Sequence, residues 1–265
     1  MNRTSRSGWL LLVLGGLYLL IPLIATIQFS LQAQTRSGIP ISFQAYVNVL
    51  SSGEFYTHLL FSLGAAIITI IISTVLLVPT SYWIFLKMPY LIPILEFLTL
   101  LPIVIPVVVL TFGLITIYNN TALTNSGQGA YLLMIGAYVV ITFPYSYRPI
   151  SAALQAINVK TLTEASQSLG AGWFTILVRV IFPNIWVGVL NGAFITFAIV
   201  MGEYTISSLL AQQSFSTYML DANSRLTYEP AAIAIISFAI TWACIGLLQV
   251  IGRRSSSVIE VGGIH

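Results

Sequence analysis

Thr163-Glu-Ala-Ser-Gln-Ser-Leu-Gly-Ala-Gly-Trp-Phe-Thr-Ile-Leu-Val-Arg-Val-Ile-Phe-Pro183 is a moderately polar insert between long apolar runs. Its composition suits water rather than lipid. Thr161 and Glu164 stand in the Thr-x-x-Glu order of a capping box, in which each side chain satisfies a free backbone N–H at a helix start. A short helix is therefore expected to begin here. Gly170 can turn left-handed and stop that helix, and Gly172 loosens the chain before Trp173 to Ile181 resume an apolar helix. Two short helices at an angle follow from this pattern.

The whole chain of 265 residues is 57% apolar and 6% charged, with a mean hydropathy of +0.95. Soluble domains carry about 25% charged residues. The composition is that of a membrane protein, because a charge at the centre of a membrane helix costs roughly 2.5–3.5 kcal/mol. The sparse charges mark loops. Net charge is +3, but the cations are scattered singly and form no patch, so lipid and not nucleic acid is the expected partner. Cys244 has no second cysteine to bridge to and reads as a small buried hydrophobe. His58 and His265 have no second ligand at metal-binding spacing, so no metal is expected. Phosphate-binding Gly-Lys-Ser/Thr loops, nucleophile elbows and zinc signatures do not occur, and hydrolysis of ATP by this chain is not expected.

Six apolar stretches are long enough to cross a bilayer, which takes about 20 helical residues. They run from Trp9 to Leu31, His58 to Leu86, Leu91 to Tyr118, Ala130 to Tyr147, Asn184 to Leu210 and Ala231 to Ile251. The first is too long for a signal-peptide core and lacks a good cleavage site, so it is read as a retained span. Pro93, Pro102 and Pro106 predict kinks in the third. Polar connections are expected at Gln32 to Thr57, Asn119 to Gly129 and Gln212 to Pro230, the last with a short helix at Thr217 to Leu226. With the N-terminus in the cytosol, Arg3, Arg6, Lys87, Arg148, Lys160, Arg179, Arg253 and Arg254 fall inside and only Arg36 and Arg225 outside. That asymmetry places both termini and the Glu164 loop in the cytosol.

Glu164-Ala165, Gly170 six residues on and Pro183 nineteen after Glu164 resemble the Glu-Ala-Ala loop of permease subunits from binding-protein-dependent ABC importers. The family pattern runs Glu-Ala-Ala, three residues, Gly, nine residues, Ile-x-Leu-Pro, and this chain fits it without a gap. Ser166 stands for the second Ala, Val180 for the Ile and Phe182 for the Leu, which keeps small or apolar character. The resemblance implies an all-α, polytopic membrane fold of the type I importer permease (MetI-like) kind, with six transmembrane helices. It implies one permease domain over 1–265 with a cytosolic coupling loop at 155–183. Glu164, Ala165, Ser166, Leu169, Gly170 and Pro183 are the implied coupling residues, docking onto a dimer of cytosolic ATPase subunits that carries ATP and Mg. No cofactor is implied in this chain.

The layout, including Phe43 with Tyr46 and the run Met201-Gly202-Glu203-Tyr204, most resembles permeases of spermidine/putrescine systems. By that resemblance the partners are a second, different permease chain and an extracytoplasmic substrate-binding protein, and the location is a bacterial inner membrane. The cargo is then a polyamine-like cation, with ferric iron, thiamine, phosphonate or an oxyanion as alternatives. Glu203, Thr196 and Ser207 share a helical face with Gly192 and form a candidate pathway stripe. The alternative for Glu203 is a buried carboxylate that serves assembly alone. Glu96 lies near a span edge, where it is expected to reach water or pair with Lys87. Tyr218, Asp221 and Arg225 suit docking of the binding protein, since interfaces favour Tyr and Arg. A non-ABC channel or scaffold is the competing class, distinguished by transport that needs no nucleotide.

Overall fold

The computed structural model describes residues 6–32 and 41–260. Arg3, Arg36, Gly38, Pro40 and His265, used in the sequence reading, lie outside the described residues. The helices are α1 (Arg6–Ser30), α2 (Gln44–Ser51), α3 (Gly53–Lys87), α4 (Ile92–Val104), α5 (Val107–Ile117), α6 (Ala122–Asn125) and α7 (Gly127–Ala156), then α8 (Val159–Ser168), α9 (Trp173–Ile176), α10 (Phe182–Gly202), α11 (Thr205–Leu209), α12 (Phe215–Arg225) and α13 (Glu229–Glu260). The fold is all-helical among the described residues.

Among the described residues four helices are long and apolar enough to span a membrane, and α4 with α5 makes a fifth if the bent pair is one span. The apolar part of α13 described with its side chains, Glu229–Cys244, is shorter than a full span. Of the six spans expected from sequence, four or five are found among the described residues. Several boundaries also shift. Helix α3 starts at Gly53, inside the stretch read as a loop, with Glu54 in its first turn and Lys87 in its last, the arrangement the helix dipole favours. The Gln32 to Thr57 connection additionally holds α2.

The expected third span is broken by 94° between α4 and α5. Ile105 is extended (φ −84°, ψ 119°) and Pro106 follows with ψ 132°. Proline crowds the residue before it out of the helical region and offers no N–H to continue the ladder. The kink predicted at Pro106 is thus a full break. The expected fourth span does not end at Arg148-Pro149: α7 continues through both Pro144 and Pro149 to Ala156.

The fifth span begins at Trp173, eleven residues before the expected Asn184, and ends at Gly202 instead of Leu210. Its Leu177–Ile181 segment is a π-helical turn. Pro183 explains this widening. It cannot donate to the carbonyl four residues back, and its ring needs room there. The Asn184 side chain donates to the Val180 carbonyl at 2.7 Å, which supplies a partner beside the defect.

Residue contacts cluster into two compact units, one of 1–57 with 218–242 and one of 58–217 with 243–265. In the first, the Ser30 and Tyr46 hydroxyls lie 2.7 Å apart, Phe29 meets Tyr228 with ring centroids 5.2 Å apart, and Asn48 donates to the Glu229 carboxylate at 3.0 Å. The second holds a core of Leu77, Val78 and Tyr82 from α3, Tyr147, Ile150 and Leu154 from α7, Val159 from α8, and Ile176, Ile181, Ile185 and Val189 of the fifth span.

Within this second unit α10 lies close against α7. A Cβ at Gly188 would sit 2.5 Å from the Pro149 carbonyl oxygen and 2.6 Å from the Ala153 Cβ, and one at Gly192 would sit 3.1 Å from the Ser146 Cα. One turn further, the Thr196 and Ser146 hydroxyls meet at 2.8 Å, both buried. Small residues four apart let membrane helices pack backbone to backbone, where dispersion and buried hydrogen bonds replace the hydrophobic drive. Gly188→Ala is expected to lower stability by about 1–3 kcal/mol through overpacking. Gly136→Ala, with open space at its Cβ position, is expected to be neutral or slightly stabilising. Thermal unfolding of the detergent-solubilised variants checks the difference.

Candidate functional site

The polar insert folds as expected in outline and differently at its start. Helix α8 begins at Val159, and its cap is Asn158, whose side-chain oxygen accepts from the Thr161 N–H at 3.1 Å. The capping box predicted at Thr161 and Glu164 is not formed. Asn158 already fills the cap one turn earlier, which leaves Glu164 in the helix body, 3.9 Å from Lys160 in an exposed pair.

The stop is sharper. Gly170 has φ +80°, its N–H bonds to the Gln167 carbonyl at 2.9 Å, and the Ala171 N–H reaches back to Ser166 at 3.0 Å. These two bonds are a Schellman motif, which needs a left-handed residue and so favours glycine. Gly172 is extended (φ −74°, ψ 160°) and starts α9. Between α7 and the fifth span the polar insert runs from Ile157 to Gly172, and Pro183 lies within the following helix.

Helix α8 is anchored on one side only. Val159 and Thr163 are buried, and the Thr163 hydroxyl donates to the Val159 carbonyl at 2.7 Å and lies 3.3 Å from the Tyr82 hydroxyl. Ser166 is half-buried and donates to Leu162. The opposite face presents Glu164 and Ala165, then Leu169, which is 89% exposed. Pro183 is also exposed.

The candidate pathway residues do not form an open stripe. Thr196 and Ser207 are fully buried, Thr196 in the α7–α10 seam just described. At Thr196 the helical spacing that predicts a water-facing stripe meets α7 instead. Glu203 is not inside the span but ends it, in extended conformation at ψ 121°. Both carboxylate oxygens lie within 3.1 Å of the Ile206 N–H, so the side chain caps α11. Its backbone carbonyl accepts from Ser207 and Ser216, and the Tyr138 hydroxyl lies within hydrogen-bonding reach of the carboxylate. Ser214 continues the network to Ser207 at 2.9 Å, and Ser62 accepts from the Phe215 N–H at 2.8 Å. Tyr138, from α7, had no sequence signal of its own. Gly188 did have one, since it stands four residues before Gly192.

Helix α12 realises the short helix expected at Thr217 to Leu226, one to two residues earlier. Asp221 and Arg225 pair along it at 2.9 Å, both exposed, and the Tyr218 ring lies 6.3 Å from Phe55. Glu96 makes no ion pair with Lys87.

Several membrane-crossing helices, with one capped polar helix set just ahead of a proline-bearing span, define a multi-pass membrane protein of the importer-permease class. The chain belongs to the family of binding-protein-dependent transport system inner membrane components, whose profile matches residues 66–255. The family is the membrane component of ABC importers, in which the ATPase is a separate subunit. A spermidine/putrescine transport system permease protein PotC homolog from Mycoplasma pneumoniae is 22% identical over 215 residues, covering 77% of this chain and 74% of its own. A probable sulfate transport system permease protein cysT from Helicosporidium is 30% identical over 154 residues, covering 56% of this chain and 55% of its own. The fold matches a bacterial alginate ABC transporter, crystallised with an alginate-pentasaccharide-bound periplasmic protein, at a TM-score of 0.70 and 15% identity over 94% of this chain and 93% of that one. An amino acid ABC transporter matches at 0.55 and 18% identity over 81% of this chain and 99% of that one.

Gly170→Ala forces a side chain into the left-handed region and is expected to cost about 1–2 kcal/mol of local stability. Gly172→Ala is expected to be near neutral. Asn158→Ala removes a cap worth about 1 kcal/mol, whereas Thr161→Ala leaves that cap in place. Amide hydrogen exchange of α8 in the four variants, with faster exchange only in the Gly170 and Asn158 changes, checks this assignment.

Proposed function

We propose that this chain forms half of the translocation pathway of an ATP-driven importer and that α8 is its coupling helix. The observation that carries the reading is the one-sided anchoring of α8: Thr163 and Val159 are buried while Glu164, Ala165 and the 89%-exposed Leu169 face outward. An exposed apolar side chain beside small residues on a capped, firmly stopped helix suits insertion into a groove on a partner. Ser166 and Gly170 set the helix geometry, and Pro183 sets the π turn within the span that follows. The family frame and the one-sided distribution of basic residues both support a cytosolic position for α8 and for the two termini. The partners in this reading are a dimer of ATPase subunits holding ATP and Mg, a second permease chain and an extracytoplasmic binding protein. The last would be received in part by Tyr218, Asp221 and Arg225.

For cargo, the PotC relative supports a polyamine-like cation. The sulfate relative favours a second reading, an oxyanion. In the first reading Glu203 draws the cation. Capping of α11 leaves lone-pair sites and the net charge of its carboxylate available. Glu203→Gln retains an acceptor for Ile206 and removes the charge. It is expected to raise the apparent KM for spermidine by about tenfold, roughly the effect of losing one charge-assisted contact. Uptake of sulfate and not of spermidine by the wild-type importer would favour the oxyanion.

Coupling itself is checked by a gentle detergent pull-down of tagged wild type against the Glu164→Arg, Gly170→Pro double variant. Wild type is expected to bring down an ATPase and a second permease, and the variant to lose only the ATPase. Recovery of no ATPase with wild type, while other membrane complexes survive, would remove the importer assignment of α8.

A further inference from the structure

We propose that a cavity between α4 and α7 is a binding site for a zwitterionic group, an ammonium held at Glu96 and an anion held at Arg148. The cavity has a volume of about 290 Å³ and lies within the second compact unit. Glu96 and Thr99 line it from α4, and Tyr147, Arg148, Ser151 and Gln155 from α7. The inference is independent of the cargo reading.

Two observations carry it. First, a carboxylate and a guanidinium line one cavity, yet neither belongs to an ion pair among the described residues. Opposite charges that share a cavity without joining leave a gap fitted to a ligand with one charge of each sign. Second, Tyr147 is 2% exposed and its hydroxyl makes no hydrogen bond of ordinary geometry, with the Ser151 hydroxyl close by. A buried hydroxyl left unpaired costs free energy, and a ligand oxygen or nitrogen in the cavity would satisfy it. The neutral groups complete the set: Gln155 donates to the Ser151 hydroxyl at 3.2 Å and keeps its amide oxygen free to accept, and Thr99 donates to the Glu96 carbonyl at 2.9 Å.

The position of the cavity explains which molecules reach it. Glu96 lies four residues into α4, roughly 6 Å along the helix, and Arg148 eight residues before the end of α7, roughly 12 Å. Interfacial layers are about 5–8 Å deep on each side of the hydrocarbon core, and an arginine reaches out toward them. Glu96 and Arg148 are both exposed at the side of the unit. The same chemistry is offered there by the headgroup of phosphatidylethanolamine and by free zwitterions such as glycine or phosphoethanolamine. A purely cationic or purely anionic group meets one repulsive wall.

The test uses the full-length chain, purified in detergent and placed in nanodiscs of anionic phosphatidylglycerol with or without added phosphatidylethanolamine, followed by native mass spectrometry of retained lipid. Glycine and phosphoethanolamine are titrated separately by calorimetry. Retention of phosphatidylethanolamine over phosphatidylglycerol, reduced about tenfold by Glu96→Gln or Arg148→Gln, assigns the site to the headgroup. Calorimetric binding of a free zwitterion, lost in the same variants without a change in lipid retention, assigns it to a solute. The exchanged pair Glu96→Arg with Arg148→Glu, which keeps both charges in the cavity, is expected to recover binding relative to either single variant. Circular dichroism of every variant verifies folding. No zwitterion bound by wild type, or binding equal in wild type and both single variants, overturns the proposal.

Discussion

Close contact between α7 and α10 is the constraint on which the second unit depends. Gly188 and Gly192 let the two backbones meet, and the Ser146–Thr196 hydrogen bond closes the seam in a place where neither hydroxyl reaches solvent. Lipid supplies no hydrophobic drive between helices, so shape and buried hydrogen bonds must hold them. With that seam fixed, Tyr138 on α7 comes beside Glu203 at the end of α10, and the residues flanking α8 are brought to one end of a shared core. Of the polar stripe that reads as a pathway in sequence, Gly192 and Thr196 lie in this seam, whereas Glu203 and Ser207 lie in the network around α11.

Proline positions shape the elements that the seam joins. Each of the two largest deviations from regular helix falls beside one: the 94° break at Pro106 and the π turn before Pro183. The outcomes differ because the surroundings differ. At Pro106 the preceding Ile105 is extended and the helix stops. At Pro183 the ladder shifts register over one turn, and the Asn184 side chain bonds beside the defect, so the helix continues. Pro144 and Pro149, buried or half-buried in α7, leave that helix unbroken, with close packing on α10 available to hold it.

The sequence was most legible where one residue type had a single physical use. Gly170 had to be left-handed to end a polar helix, and it is. The apolar run after Gly172 and the short helix near Thr217 also appear close to their expected places. Legibility failed where two residues competed for one role or where the partner lay far along the chain. Asn158 took the cap that Thr161 seemed to offer, and both residue types suit it. Thr196 and Ser207 had the spacing of a water-facing stripe, but spacing cannot tell water from a facing helix. Glu203 stands out in sequence as a carboxylate in an apolar run, whereas its turn onto Ile206 and its neighbour Tyr138 depend on the chain leaving the helix at that residue. Proline at Arg148-Pro149 predicts a helix end, but tertiary packing against α10 holds α7 through it to Ala156.

From Trp173 to Gly202 the chain is one helix of 30 residues, roughly 45 Å long at 1.5 Å per residue. One end follows the Schellman stop of α8, and the other ends at Glu203, whose carboxylate caps α11. In the importer reading, a displacement of α8 by the ATPase therefore has a rigid route to the opposite end of the span. The π turn at Leu177–Ile181 is the segment along that route with altered hydrogen bonding, and it lies next to the core that holds Ile176 and Ile181. A push on α8 can be taken up by rotation at this turn or transmitted through it. The α7 seam decides between them, because Gly188 and Gly192 leave α10 no space to move toward α7 and direct the motion along their common interface.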